Sequence, residues 1–140
     1  MNLAIVRILA MFCLTAGFGS ICLKAQGPIH ITIPFDFAVG SKSFTQGEYL
    51  VRPNVMQSVI AIQSANGQAA AMALTLPMQA HNESGKARLV FNRYGDRYFL
   101  SQVWANGSQG RELSKSTAER ELIAQARSTK SVALVASGRE

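Results

Sequence analysis

From Ile29 to Phe37 the chain alternates apolar and polar positions. Ile29, Ile31, Ile33, Phe35 and Phe37 are separated by His30, Thr32, Pro34 and Asp36. A period of two predicts a strand with one face buried and one face wet. Pro34 has no N–H to give to a ladder, so this strand is expected at a sheet edge or bent at a bulge. Gly40-Ser41-Lys42 reads as a turn, and a strand is expected from Tyr49 to Arg52, ended by Pro53-Asn54. A third strand is expected over Val55–Ser64, centred on Val59-Ile60-Ala61-Ile62. Asn66-Gly67 is a hairpin signal, because both residues tolerate positive φ. The returning strand is expected from Gln68 to Leu76. Its Ala69-Ala70-Ala71 start suits a helix by propensity, but the hairpin turn and the alternation of Met72, Leu74 and Leu76 favour a strand.

Pro77 to Lys86 reads as a polar loop. Ala87–Tyr94 and Arg97–Trp104 predict a second hairpin around Gly95-Asp96, rich in the strand formers Val90, Phe91, Tyr98, Phe99, Val103 and Trp104. Asn106 to Gly110 reads as a further turn-rich loop. The pattern then changes. Ser116-Thr117-Ala118-Glu119 matches a capping box, and a helix is expected from Thr117 to about Arg127, with a narrow apolar stripe of Leu122, Ile123 and Ala126. Val132 to Ala136 is apolar, suiting a last strand or a loosely held tail. About six short strands between turn signals place the chain in the mainly β class. The expected architecture is a small antiparallel β-sandwich or barrel-like domain with one C-terminal helix.

The first 25 residues have a different character. A single early charge, Arg7, precedes an apolar run from Ile8 to Leu23. That run suits the core of a signal peptide better than a bilayer span. Ala25 is the small residue wanted before a cut, which sets a mature start at Gln26; Leu23 stands where a smaller residue is usual. The domain reading is therefore a signal peptide over 1–25 and a single β-rich domain over 26–140. Cys13 and Cys22 both fall within the leader, so the mature chain would hold no disulfide, thiolate nucleophile or Cys-bound metal. Ile21 before Cys22 departs from a lipoprotein pattern. Without disulfides, a bacterial exported protein is favoured over a eukaryotic one. Removing Arg7 and Lys24 lowers the formal charge from +6 to +4, spread along the chain, which reads as a solvated surface.

Four stretches carry a resemblance: Ile33-Pro34-Phe35-Asp36-Phe37-Ala38-Val39-Gly40, Gly47-Glu48-Tyr49-Leu50-Val51, Arg93-Tyr94-Gly95-Asp96-Arg97-Tyr98-Phe99-Leu100, and Gly110-Arg111-Glu112-Leu113-Ser114-Lys115-Ser116. With Trp104 and Ala118-Glu119-Arg120, the chain resembles a group of small, exported, uncharacterised β-rich proteins of soil bacteria. The resemblance covers nearly all of the mature span. Members usually carry Ala before Gly-Glu-Tyr, where this chain has Gln46. The resemblance implies export and a β-rich domain, and implies no activity.

The densest polar and aromatic cluster is Arg93-Tyr94-Gly95-Asp96-Arg97-Tyr98. A two-residue turn at Gly95-Asp96 would set Tyr94 opposite Arg97 and Arg93 opposite Tyr98. Cross-strand pairs stabilise a hairpin by about 0.2–1 kcal/mol each, and Arg over a Tyr face is a cation–π pair. The cluster reads first as a self-stabilised hairpin. Its functional reading is a binding tip, with Arg93, Tyr94, Arg97 and Tyr98 as the candidate ligand- or partner-binding residues. Trp104, Phe99 and Tyr98 read as core before they read as a stacking platform. His30 and His81 lack further ligands at metal spacing, so no metal site is expected; His30 belongs on the wet face of the first strand. No nucleophile elbow or carboxylate pair is present, and Glu119 and Glu121 read as helix surface. Asn82-Glu83-Ser84 and Asn106-Gly107-Ser108 match a glycosylation triplet that matters only in a eukaryotic host.

These observations lead to an exported, non-catalytic binding or structural protein of the bacterial cell envelope, periplasmic or secreted, without a cofactor. The expected partners are cell wall, an anionic glycan or an envelope protein, and not nucleic acid. The membrane would be contacted only through an uncleaved signal peptide. One alternative is a membrane-anchored envelope assembly subunit, held by that leader or by strand addition at the Pro34 edge. A more remote one is a hydrolytic enzyme whose site is dispersed in sequence.

Overall fold

A computed structural model describes residues 27–56, 58–80, 85–125 and 130–135. The expected leader with its cut site and both cysteines, His81, the Asn82 triplet, the stretch beyond Gln125 to which the helix was expected to extend, and residues 136–140 lie outside the described residues. Among the described residues, no helix is long and apolar enough to cross a membrane.

The alternation that opens the chain forms β1 (Ile29–Ile33), with its isoleucines buried and His30 and Thr32 exposed. It does not run on to Phe37 as one strand. Pro34 interrupts it, and after Phe35 and Asp36 the chain enters β2 (Phe37–Val39), which is buried throughout and belongs to another part of the sheet. β3 (Lys42–Phe44) folds back on β2. β4 (Gly47–Met56) pairs with both β1 and β5 (Val59–Ser64). Pro53 does not end β4. The strand passes through it, and the register shifts between Pro53 and Met56, where a bulge accommodates the missing donor. The strand expected from Val55 is thus the end of β4 and the start of β5.

The Asn66-Gly67 turn joins β5 to β6 (Ala70–Gln79). Ser64 Oγ donates to Asn66 Oδ1 at 2.6 Å, and the Gln68 N–H donates to the same oxygen at 3.1 Å. β6 continues through Pro77, which had been expected to open a loop. Its first half pairs with β5 and its second half with β9 (Gln109–Leu113). Only alternate N–H groups of an antiparallel strand point at a given partner, so a proline fits at some register positions. β9 occupies the end of what read as a turn-rich loop. β7 (Arg88–Tyr94) and β8 (Arg97–Trp104) form the expected hairpin, where Gly95 takes a φ of 60°, a left-handed conformation suited to glycine. α1 (Thr117–Gln125) follows, and β10 (Lys130–Val135) returns to pair with β7.

The result is mainly β, with one helix among the described residues. The sheet runs β1-β4-β5-β6-β9-β8-β2-β3, with β7 and β10 branching from β8. It is not closed, and it is mixed rather than antiparallel. β2 lies parallel to β8, with Phe37 beside Tyr98 and Ala38 beside Phe99. One core joins its parts: Ile33, Val51, Ile60 and Ile62 from one end of the order meet Leu89, Phe91 and Val103 from the other. Phe37 knits them further, with its ring edge-on to Tyr49 at 5.0 Å and to Phe91 at 5.5 Å.

β6 carries its alternation in an unusual sense. Ala71 and Ala73 pack against the core and Thr75 is buried, while Met72, Leu74 and Leu76 are 70%, 70% and 64% exposed. The Thr75 side chain and backbone N–H both donate to the Ser58 carbonyl, which fixes the small residues inward.

Candidate functional site

The β7–β8 hairpin sets Arg93 opposite Tyr98 and Tyr94 opposite Arg97, as the two-residue turn requires. The four candidate binding residues have different fates. Arg93 folds over its own turn: Nε donates to the Gly95 carbonyl at 2.7 Å, an exposed ion pair to Asp96 spans 3.7 Å, and Cζ sits 5.4 Å from the Tyr98 ring centre. The Tyr98 ring stacks on Phe35 at 3.9 Å and 16°, and is half-buried. Arg97 is exposed, with Cζ 5.3 Å over Phe99.

Tyr94 faces inward and is 4% exposed. Its hydroxyl donates to Glu119 Oε1 at 3.1 Å, and the Asn92 side-chain amide donates to the same oxygen at 3.1 Å. Glu119 is therefore not helix surface but is itself 4% exposed. Half of the capping box is present: the Glu119 N–H donates to Ser116 Oγ at 3.2 Å. The other half is replaced, because the carboxylate of Glu119 turns into the sheet instead of back to the cap. Leu122 docks the same helix against Ala38, Tyr94 and Phe99. The hairpin base is thus a joint between sheet and helix, which leaves Arg97 as the one exposed residue among the four candidates.

Trp104 is core, as its strand position suggested. It stands opposite Gly110, and a Cβ built on Gly110 would lie 2.6 Å from the indole. The Arg88 guanidinium covers the ring at 4.6 Å, and Nε1 donates to Gln102 Oε1 at 3.0 Å.

A concave feature lies elsewhere. A half-open cleft of about 700 Å³ is lined by β1, β4 and β5, with Val135 at the end of β10 joining it. Two cross-strand rows build its wall. His30, Leu50 and Gln63 stand side by side across β1, β4 and β5. Thr32 and Glu48 form the next row, continued by Ala65, whose N–H donates to the Glu48 carbonyl at 2.9 Å. Ile31, Tyr49 and Ser64 run between them. The Tyr49 hydroxyl is spent on the Thr45 carbonyl, and Ser64 Oγ is held within the β5–β6 turn. The cleft so offers an imidazole, a carboxylate, a hydroxyl and an amide beside aliphatic surface, with no lysine or arginine among the described residues of its lining. Such a set hydrogen-bonds and excludes water along apolar strips. Among the described residues of the lining the aliphatic hydroxyls are Thr32 and Ser64, and Ser64 is held in its turn. Among the described residues, no three His, Asp or Glu side chains gather as a metal site.

Sequence reasoning placed His30 on a wet face correctly but did not unite it with Glu48 and Gln63, since the three sit on different strands. The register that unites them is unbroken from Tyr49–Ser64 to Pro53–Ile60 and shifts only after Pro53, which read as a strand end. No protein-family model, curated protein or solved structure matches the chain.

Proposed function

We propose that this is an exported, non-catalytic binding protein of the bacterial cell envelope, and that it binds through the β1–β4–β5 cleft. Export is supported by the apolar leader after Arg7. The single observation that carries the binding reading is the cleft itself, the described concavity in which uncommitted polar side chains converge beside apolar surface. Its lining favours a neutral ligand with hydroxyl and amide groups, such as the glycan strands of the cell wall, over a polyanion. Arg97, exposed on the hairpin tip, supports a second reading in which an anionic glycan is held there.

Retention of the purified protein on cell-wall and anionic-glycan matrices, across a salt series, tests both. The cleft reading expects salt-resistant retention on cell wall, lost in His30→Ala/Gln63→Ala and kept in Arg93→Ala/Arg97→Ala. The opposite pattern, with retention that falls as salt rises, moves the site to the tip. No retention on any matrix overturns both.

A further inference from the structure

Among the described residues the sheet has three terminal strands, β1, β3 and β10, and they are not alike. Exposed edges are open to pairing with another chain, and lysine on the edge is a common guard against it. β3 begins with Lys42 and is three residues long; β10 begins with Lys130. β1 holds no charged residue, and its only partner among the described residues is β4. Pro28 and Pro34 bracket it, which confines any added ladder to the five residues between them.

Those five residues read Ile-His-Ile-Thr-Ile, a pattern symmetric about Ile31. We propose that β1 pairs antiparallel with β1 of a second copy, around a two-fold axis at Ile31. The axis would set Ile31 opposite Ile31, Ile29 opposite Ile33, and His30 opposite Thr32, twice over. Every isoleucine meets an isoleucine on the inward face, and each imidazole meets a hydroxyl on the wet face. An isologous contact demands this self-complementarity, and the strict alternation of β1 supplies it. The axis satisfies either hydrogen-bonding phase of β1, because two residues related by a two-fold occur in both kinds of antiparallel pair. The joined sheet would run β6-β5-β4-β1-β1-β4-β5-β6. The two clefts would then lie on one continuous surface, with His30 and Thr32 of each copy beside those of the other. The pairing stands independently of what the cleft binds.

Sedimentation equilibrium tests it, on the protein in the form the cell accumulates, with that form defined by intact mass. The expected result is a monomer–dimer equilibrium. The His30→Lys/Thr32→Lys variant alters exposed side chains only and places ammonium groups opposite one another across the axis. It should weaken the dimer by about tenfold or more, with far-UV circular dichroism and Trp104 emission unchanged. Mixing it with His30→Glu/Thr32→Glu should restore association as a heterodimer. A wild-type protein that stays monomeric at the highest attainable concentration overturns the proposal, as does a dimer that the lysine variant leaves intact. Cell-wall retention measured on the same samples is a separate readout: a dimer without retention upholds the strand pairing and removes the cleft reading alone.

Discussion

Replacing Glu119 with alanine should destabilise the domain far more than removal of a surface glutamate. The carboxylate accepts from Tyr94 Oη and Asn92 Nδ2, each at 3.1 Å, in a site almost closed to water. Losing the acceptor costs the desolvation of a buried hydroxyl, about 1–3 kcal/mol, and a smaller amount for the half-buried amide, which water can reach. The expected sum is about 2–3 kcal/mol, or roughly 8–12 °C in melting temperature for a domain of this size. Tyr94→Phe removes one donor while Asn92 still serves the carboxylate, and should cost about 1 kcal/mol. The two changes share a contact, so the double variant should cost less than their sum by about 0.5 kcal/mol or more. Urea unfolding of all four proteins, followed by circular dichroism, measures this cycle. A Glu119→Ala cost within about 0.5 kcal/mol, the range of ordinary surface changes, would refute the joint between helix and hairpin.

Three further outcomes follow from the packing. Gly110→Ala pushes a methyl group into the Trp104 indole and should cost about 1–3 kcal/mol; Trp104 emission, expected to be blue-shifted in the native protein because the ring is buried, should move toward red in the variant, and an unchanged midpoint and spectrum would contradict the close approach. Leu122→Asp places a charge against Ala38, Tyr94 and Phe99 and should lower the melting temperature; an unchanged midpoint would mean that the helix does not dock there. Arg93→Ala/Arg97→Ala removes an exposed ion pair and exposed ring contacts, and should change stability by no more than about 1 kcal/mol; a larger loss would show that the tip's charges hold the hairpin together.

Local signals were read well where one residue type decides the backbone. Gly95-Asp96 and Asn66-Gly67 mark their hairpins because few other pairs accept those turns, and Ser116 starts the helix because its hydroxyl caps an amide. Proline misled in both directions. At Pro34 the alternation continues past a true strand break, since Phe35 and Phe37 still face apolar surroundings after the chain has changed partners. At Pro53 and Pro77 the strands continue, because a bulge and a register position absorb the missing donor. β9 was missed because Asn106-Gly107-Ser108 looks like loop up to the residue where Gly110 must pass under Trp104. Glu119 was misplaced for a tertiary reason: its helix position reads as surface, and only the approach of Asn92 and Tyr94 makes it interior. The cleft was invisible for the same kind of reason, since its rows exist only once β1, β4 and β5 are in register.

The central claim is that ligand binding belongs to the β1–β4–β5 cleft. Amide chemical shifts of the isotope-labelled protein, followed during titration with soluble cell-wall glycan fragments, test it most directly. The account predicts perturbations concentrated at residues 30–32, 48–50 and 63–65, with little change at residues 93–98. Perturbations centred on the hairpin instead, or a spectrum unmoved at saturating glycan, would contradict it.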